Sequence, residues 1–209
     1  MDTSNISVNT QNSIRIESKK IIYADPLDIG HESHDADYIF ITHDHYDHLS
    51  VPDILKIMNE NTVLVVPAPI EARIRKSVPV NNLICVEPGK RYETQDILFE
   101  TVAAYNRIKP FHPKRSGWVG YIINTDDTRI YIAGDTDATK EAENVRCDIA
   151  MVPIGGTYTM NHKEAAALIN KIKPIYAIPT HYGSLVGDKE DGERFRQLVD
   201  KNINVVIKL

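Results

Sequence analysis

Between Tyr38 and Ser50 a short apolar run, Ile39-Phe40-Ile41, breaks into five imidazole and carboxylate side chains within six residues, His43-Asp44-His45-Tyr46-Asp47-His48. Imidazole nitrogen and carboxylate oxygen are the donors that zinc and similar divalent ions prefer, and three protein ligands plus a water suffice for a catalytic site. His43 and His45 stand two apart, so extended backbone puts them on one side; Asp47 repeats the step and His48 points elsewhere. That spacing suits two adjacent metals better than one. An isolated histidine is ordinarily just a polar surface group, but this density directly after a β-branched apolar run reads as a metal site at the end of a strand.

Two later runs share the pattern. Asp135 follows Ile130-Tyr131-Ile132, and His181 follows Tyr176-Ala177-Ile178. Alone, Asp135 in a Gly-Asp-Thr turn would be a turn former and His181 a core histidine. Three apolar runs that each deliver a metal-capable residue at the carboxyl end predict convergence, because ligand sites gather outside the carboxyl ends of strands in sheets with helical connections.

In chain order, residues 1–12 read as a polar tail, residues 14–17 and 21–24 as a hairpin, and residues 38–42 as a third strand, all before any helix. Three strands preceding a helix favour a mixed sheet over a purely parallel one. Ser50-Val51-Pro52-Asp53 fits a capping box, so a helix is expected immediately after His48. Further strands are expected over 63–66, 83–86, 97–103, 118–123, 129–133, 148–153, 175–179 and 203–207. Helices are expected over 70–76, from Asn161 to before Pro174, and over 189–201.

With 209 residues, the chain is expected to form a single domain, 1–209. Its 42% hydrophobic and 25% charged residues are ordinary for a globular protein, and a net charge of −5 gives no reason to expect nucleic acid as a partner. The first ten residues lack the basic start and apolar core of a secretory signal, and no run approaches membrane-spanning length, so no membrane partner is expected. Cys85 and Cys147 lie far apart beside apolar residues and read as small hydrophobes, which suits a cytoplasmic location. Arg107, Lys109, His112, Lys114 and Arg115 form the one concentrated basic segment, with two equal readings: a solvated loop, or a holder for an anionic group of a small-molecule substrate. His31, His34 and His162 read as surface polar groups. Asp25 reads either as an ordinary turn residue before Pro26 or as a partner that orients a ligand histidine.

His43-Asp44-His45-Tyr46-Asp47-His48 resembles the His-x-His-x-Asp-His motif of the metallo-β-lactamase fold hydrolases. Ala133-Gly134-Asp135-Thr136, Val152-Pro153-Ile154-Gly155-Gly156 and Ile178-Pro179-Thr180-His181-Tyr182-Gly183 resemble later motifs of the branch that includes ascorbate-6-phosphate lactonase and the N-acyl-phosphatidylethanolamine phospholipase D enzymes. The resemblance implies an α+β fold, an αββα four-layer sandwich of two mixed β-sheets flanked by helices. It implies two divalent metal ions, zinc first and manganese or iron as alternatives. His43 and His45 would hold the first, Asp47, His48 and His181 the second, with Asp135 bridging. The third histidine that the family supplies to the first metal is replaced here by Tyr105-Asn106, which leaves His112, Asn106 or a water to fill the position.

The implied activity is metal-dependent hydrolysis of a small ester, lactone or phosphodiester, expected to be anionic. A metal-activated hydroxide would attack, and Asp47 would orient it as the catalytic carboxylate. The rival expectation is a metal-binding sensor or scaffold that lost catalysis with the third histidine. Association with further copies of the chain is left open.

Overall fold

The computed structural model describes residues 2–209. One sheet runs in spatial as in chain order: β1 (Ile6–Val8), β2 (Ile14–Glu17), β3 (Ile21–Ala24), β4 (Tyr38–Phe40), β5 (Val63–Pro67) and β6 (Asn82–Val86). It is antiparallel from β1 to β3 and parallel from β3 onward. The other sheet has the order β13 (Asn204–Val205), β12 (Tyr176–Thr180), β11 (Ile149–Pro153), β10 (Thr128–Ile132), β9 (Val119–Thr125), β8 (Leu98–Ala103) and β7 (Arg91–Glu93). Its β7–β10 half is antiparallel and its β10–β13 half parallel.

Strand periodicity sorts the apolar residues into layers. In β4, Tyr38 and Phe40 enter the core between the sheets, while Ile39 packs under α1 (Val51–Ile57) and α2 (Glu71–Ser77). In β10, Ile130 and Ile132 face the inter-sheet core, whereas Tyr131 meets α3 (Lys140–Glu143), α4 (His162–Ile172) and α5 (Asp191–Leu198). The result is the αββα sandwich of two mixed sheets that the motifs implied. A buried phenol ties the layers together at the end of β4, where the Tyr121 hydroxyl donates to the Ile41 carbonyl at 2.7 Å.

Helix starts follow the capping chemistry in the sequence. Ser50 Oγ accepts from the Asp53 N–H and donates to Asp53 Oδ2, so α1 begins two residues after Leu49. At α4, Asn161 and Glu164 complete a reciprocal capping box. The hairpin between β9 and β10 turns through Asp126 and Asp127, both at positive φ (47° and 58°), the conformation a two-residue turn of matching twist requires.

Four expectations are corrected. Of the expected polar tail 1–12, Met1 lies outside the described residues and residues 2–12 are not a tail, since Ile6–Val8 pairs with β2 and Gln11 and Asn12 are buried. Ile6 and Val8 alternate with a single serine between polar neighbours, too short a period to stand out. The last helix spans only Asp191–Leu198 and the last strand only Asn204–Val205. β7 and α3, three and four residues long, were not expected at all because neither is long enough to show a period. Among the described residues no helix is long and apolar enough to cross a membrane, and Cys85 and Cys147 are free thiols.

Candidate metal centre

The cluster forms where three strand ends meet. After β4 the chain carries Thr42 and His43 onward, then turns so that the His48 and Leu49 N–H groups both bond the His45 carbonyl. Asp44 leaves the cluster and accepts from Arg73 instead. At the end of β10, Gly134 takes φ +62°, and a Cβ there would lie 2.9 Å from Thr42 Cβ, so glycine lets this turn pass against Thr42 and place Asp135 beside His48. At the end of β12, His181 itself adopts φ +56°, held by its N–H bond to the Gln11 carbonyl. A positive φ at a non-glycine residue is a local strain of the kind that collects at functional sites.

Seven side chains converge. His43, His45 and His112 place one donor atom each within 4.8 Å of one another, as do Asp47, His48 and His181, and so do His43, His48 and Asp135. Asp135 divides its carboxylate: Oδ1 lies 3.3 Å from His48 Nε2 and 3.4 Å from His181 Nε2, while Oδ2 lies 3.2 Å from His112 Nε2. Asp47 Oδ2 is 3.2 Å from His181 Nε2 and 3.7 Å from His48 Nε2. Asn106 does not occupy the position left by the missing histidine. Its Oδ1 accepts from the His112 N–H and lies 2.9 Å from His112 Nδ1, so it stands behind His112, closing the loop that brings His112 back.

Hydrogen bonds on the far side of the rings assign the protons. His48 Nδ1 lies 2.7 Å from Asp25 Oδ2, an oxygen that already accepts from Thr42 and Asn12, so Nδ1 carries a hydrogen and Nε2 is the nitrogen that faces the cluster. His112 Nδ1 faces the Asn106 carbonyl oxygen with the same consequence. Thr42 Oγ1 donates to Asp25 Oδ2, which leaves it to accept from His43 Nδ1 at 3.0 Å and frees His43 Nε2. Asp25, at φ +44°, therefore acts behind the ligand candidates, the second of its two sequence readings.

Burial lowers the proton affinity of His43, with His48 adding to it, and burial with His112 does the same for His45. For His48 burial works in that direction too, but Asp135 and Asp25 outweigh it and hold it well above the ordinary value. Burial would raise Asp135, yet His181 and His48 carry it well below the usual carboxylate range. His48 Nε2, His112 Nε2 and Asp135 Oδ1 are buried atoms with no hydrogen-bond partner. Buried polar atoms are nearly always satisfied. Three such atoms in one cluster, two imidazole nitrogens and a carboxylate oxygen, are an arrangement that a cation completes, so the residues present fit a bound metal.

A cavity of about 230 Å³ opens over the cluster, with His45, Asp47, His112, Asp135 and His181 on its floor and Tyr46, Phe111, Tyr158, Leu185 and Val186 as walls. Of the basic loop, Lys109 bonds Asp137 Oδ1 and Lys114 bonds Glu141 Oε1, and only His112 lines this cavity. His31 and His34 are exposed, and His162 pairs with Asp191, so the three histidines read as surface groups stay out of the cluster. One neighbour went unnoticed in the sequence. Trp118, the sole tryptophan, packs its ring 5.0 Å from His43 and 4.8 Å from His45, and its place at the start of a strand gave no sign of that.

Residues 5–181 match the family described as the "Beta-lactamase superfamily domain". A "UPF0173 metal-dependent hydrolase" of Staphylothermus marinus is 34% identical over 169 residues, covering 78% of this chain and 70% of the relative. One from Thermococcus onnurineus is 30% identical over 210 residues, covering 93% and 92%. A crystal structure described as a metal-dependent hydrolase from Parabacteroides distasonis superposes with a TM-score of 0.81 at 28% identity, covering 98% of this chain and 92% of that one. The metallo hydrolase Igni18 from Ignicoccus hospitalis shares the fold, with a TM-score of 0.79 at 19% identity over 97% of this chain and 93% of that one.

Proposed function

Because this chain belongs to the β-lactamase superfamily and to its UPF0173 metal-dependent hydrolases, we propose that it uses two divalent cations to hydrolyse an ester, lactone or phosphodiester bond of a small molecule. The observation that carries the reading is the divided carboxylate of Asp135, one oxygen toward His48 and His181 and the other toward His112. His43, His45 and His112 would hold one ion, Asp47, His48 and His181 the other, and Asp135 both. A donor set of imidazoles and carboxylates suits zinc first, with manganese or iron as alternatives. Bound there, the ions supply Lewis acidity: a polarised carbonyl or phosphoryl oxygen, and a water acidified from about 15.7 toward about 7.

The chain's own groups do the rest. Asp47 is the more exposed of the two carboxylates on the cavity floor, 13% against 4% for the Asp135 side chain, so it meets the attacking water and takes its proton. Asp25, Thr42 and Asn106 keep His48, His43 and His112 in the tautomer whose lone pair faces inward. His112 in the cluster supports the enzyme reading over that of a non-catalytic sensor or scaffold. The narrower kinship with ascorbate-6-phosphate lactonase and the phospholipase D branch rests on the motifs alone.

The test is turnover by purified protein reloaded with zinc, manganese or ferrous iron on lactones, phosphodiesters and carboxylic esters, with metal content measured in parallel. Chelator-sensitive hydrolysis of one class is the expected outcome. A fully loaded protein inert on all three would refute the reading.

A further inference from the structure

The walls of the cavity differ in character from its floor. Tyr46, Phe111, Tyr158 and Leu185 are 72%, 43%, 39% and 53% exposed, and all four line the opening above the cluster. They come from four separate stretches of chain: the turn after β4, the loop that returns His112, the loop between β11 and α4, and the loop between β12 and α5. Large apolar side chains gathered at one opening mark a binding surface, whereas the same residues scattered would mean nothing. Phe111 and Tyr158 are already packed edge to face, with ring centroids 4.7 Å apart at 89°, so this wall is built before anything binds.

Charge is absent from the same walls. Among the described residues no lysine or arginine lines the cavity. Of the basic loop, Lys109 is paired with Asp137 and the Thr159 carbonyl and Lys114 with Glu141, while the exposed Arg107 and Arg115 lie outside the cavity lining. A second anionic group on a substrate, away from the bond being cut, would find no counter-charge there and would be desolvated against rings. The volume, about 230 Å³, lies below the roughly 300–1,000 Å³ of most small-molecule sites and restricts the occupant to a compact group.

We propose that the part of the substrate flanking the scissile bond is a compact, uncharged aromatic or branched aliphatic group, held by Phe111, Tyr158 and Leu185. This rests on the hydrolase reading above and replaces the anionic substrate expected from the basic loop. It predicts selectivity between molecules that carry the same reacting group and differ only in the flank. The occupant is a small molecule and not a lipid surface, because the apolar residues enclose a pocket centred on the cluster.

The position of Trp118 allows a binding measurement that needs no turnover. Its ring lies 5.6 Å from His112 as well as beside His43 and His45, so its fluorescence reports on what binds there. Zinc-loaded protein is titrated with benzohydroxamate, acetohydroxamate and 4-carboxybenzohydroxamate, three probes with one metal-binding group and three flanks. The phenyl probe should bind at least about tenfold tighter than either other, about 1.4 kcal/mol. In a Tyr158→Ala, Leu185→Ala double variant that retains full zinc content, that preference should fall to less than about threefold.

Equal affinities with zinc in place overturn the apolar flank and leave the hydrolase reading standing. A preference for the carboxylated probe overturns it in favour of an anionic substrate. Failure to retain zinc, with no probe binding, overturns the metal centre and this proposal with it. Sedimentation with phosphatidylcholine vesicles, abolished by Leu185→Ala, would assign the patch to a membrane and overturn it too.

Discussion

Two buried carboxylates stand on opposite sides of His48 and have opposite surroundings. Asp25, behind the ring, receives the Thr42 N–H at 2.8 Å on Oδ1, and on Oδ2 the Thr42 hydroxyl at 2.6 Å, Asn12 Nδ2 at 2.7 Å and His48 Nδ1 at 2.7 Å. Asp135, in front of it, is ringed by imidazole nitrogens and keeps a buried oxygen with no hydrogen bond. Equal burial therefore hides different tasks. A carboxylate saturated by donors is a fixed part of the scaffold, while one ringed by imidazoles with an unbonded buried oxygen keeps a charge that a metal ion, or protons on those rings, must meet. The side of His48 facing Asp25 is finished by the protein, and the side facing Asp135 is finished by what binds.

The sharpest way to break that contrast is Asp135→Ala. Loss of the group shared by both triads should take metal content and turnover to background together, read by elemental analysis and by the hydrolysis assay. Full metal retention would remove Asp135 from the site. Next in size is Asp25→Ala, which orphans buried donors on Thr42 and Asn12 and frees His48 to change tautomer. Destabilisation of about 3–5 kcal/mol in a denaturant titration and an affinity for metal weakened about 10–100-fold are expected. An unchanged unfolding midpoint would show that the network behind His48 is not structural.

Asn106→Ala should act on one ion only. Deprived of the acceptor for its Nδ1 hydrogen, His112 should lose about tenfold in metal affinity, so a competing chelator strips one equivalent of metal before the other. Simultaneous loss of both would place His112 at the bridge instead.

The smallest effect concerns a third carboxylate, donor-saturated like Asp25 but nearer solvent. Burial would raise Asp53, yet Lys56, Ser50 and the Ile29 and Asp28 N–H groups hold it below the usual value. A depressed folded pKa contributes stability that is present above the unfolded value, about 3.9, and is lost as pH falls through the folded value. The stability difference between the protein and Asp53→Asn should therefore hold constant from neutrality down to about pH 4 and shrink below it. A difference that disappears nearer pH 6 would exclude the carboxylate as its source.

Much of this was legible in the sequence because it depends on short-range pattern. The spacing of His43, His45, Asp47 and His48, the Ser50 and Asn161 caps, and the apolar runs ahead of Asp135 and His181 each lie within about a dozen residues. What escaped was either too short to show a period, as with β1, β7 and α3, or depended on contacts between distant segments. Asn12 read as part of a tail, yet it bonds Asp25 and shares a hydrogen bond with Thr180 across 168 positions. Trp118 read as the start of a strand and sits against the histidines.

By itself, the sequence determined which residues have the chemistry to bind metal and that they end apolar runs, both of which follow from residue type and local spacing; that two mixed sheets lie between helices was implied by the resemblance of its motifs. Only the tertiary structure decided that His112 and not Asn106 turns into the cluster, that Asp135 divides between two triads, and that the lysines of the basic loop are turned to acidic partners while aromatic rings wall the cavity. Those outcomes depend on which loops meet over the sheet edge. Loop meeting is set by packing of the whole sandwich, and no stretch of the chain carries that information alone.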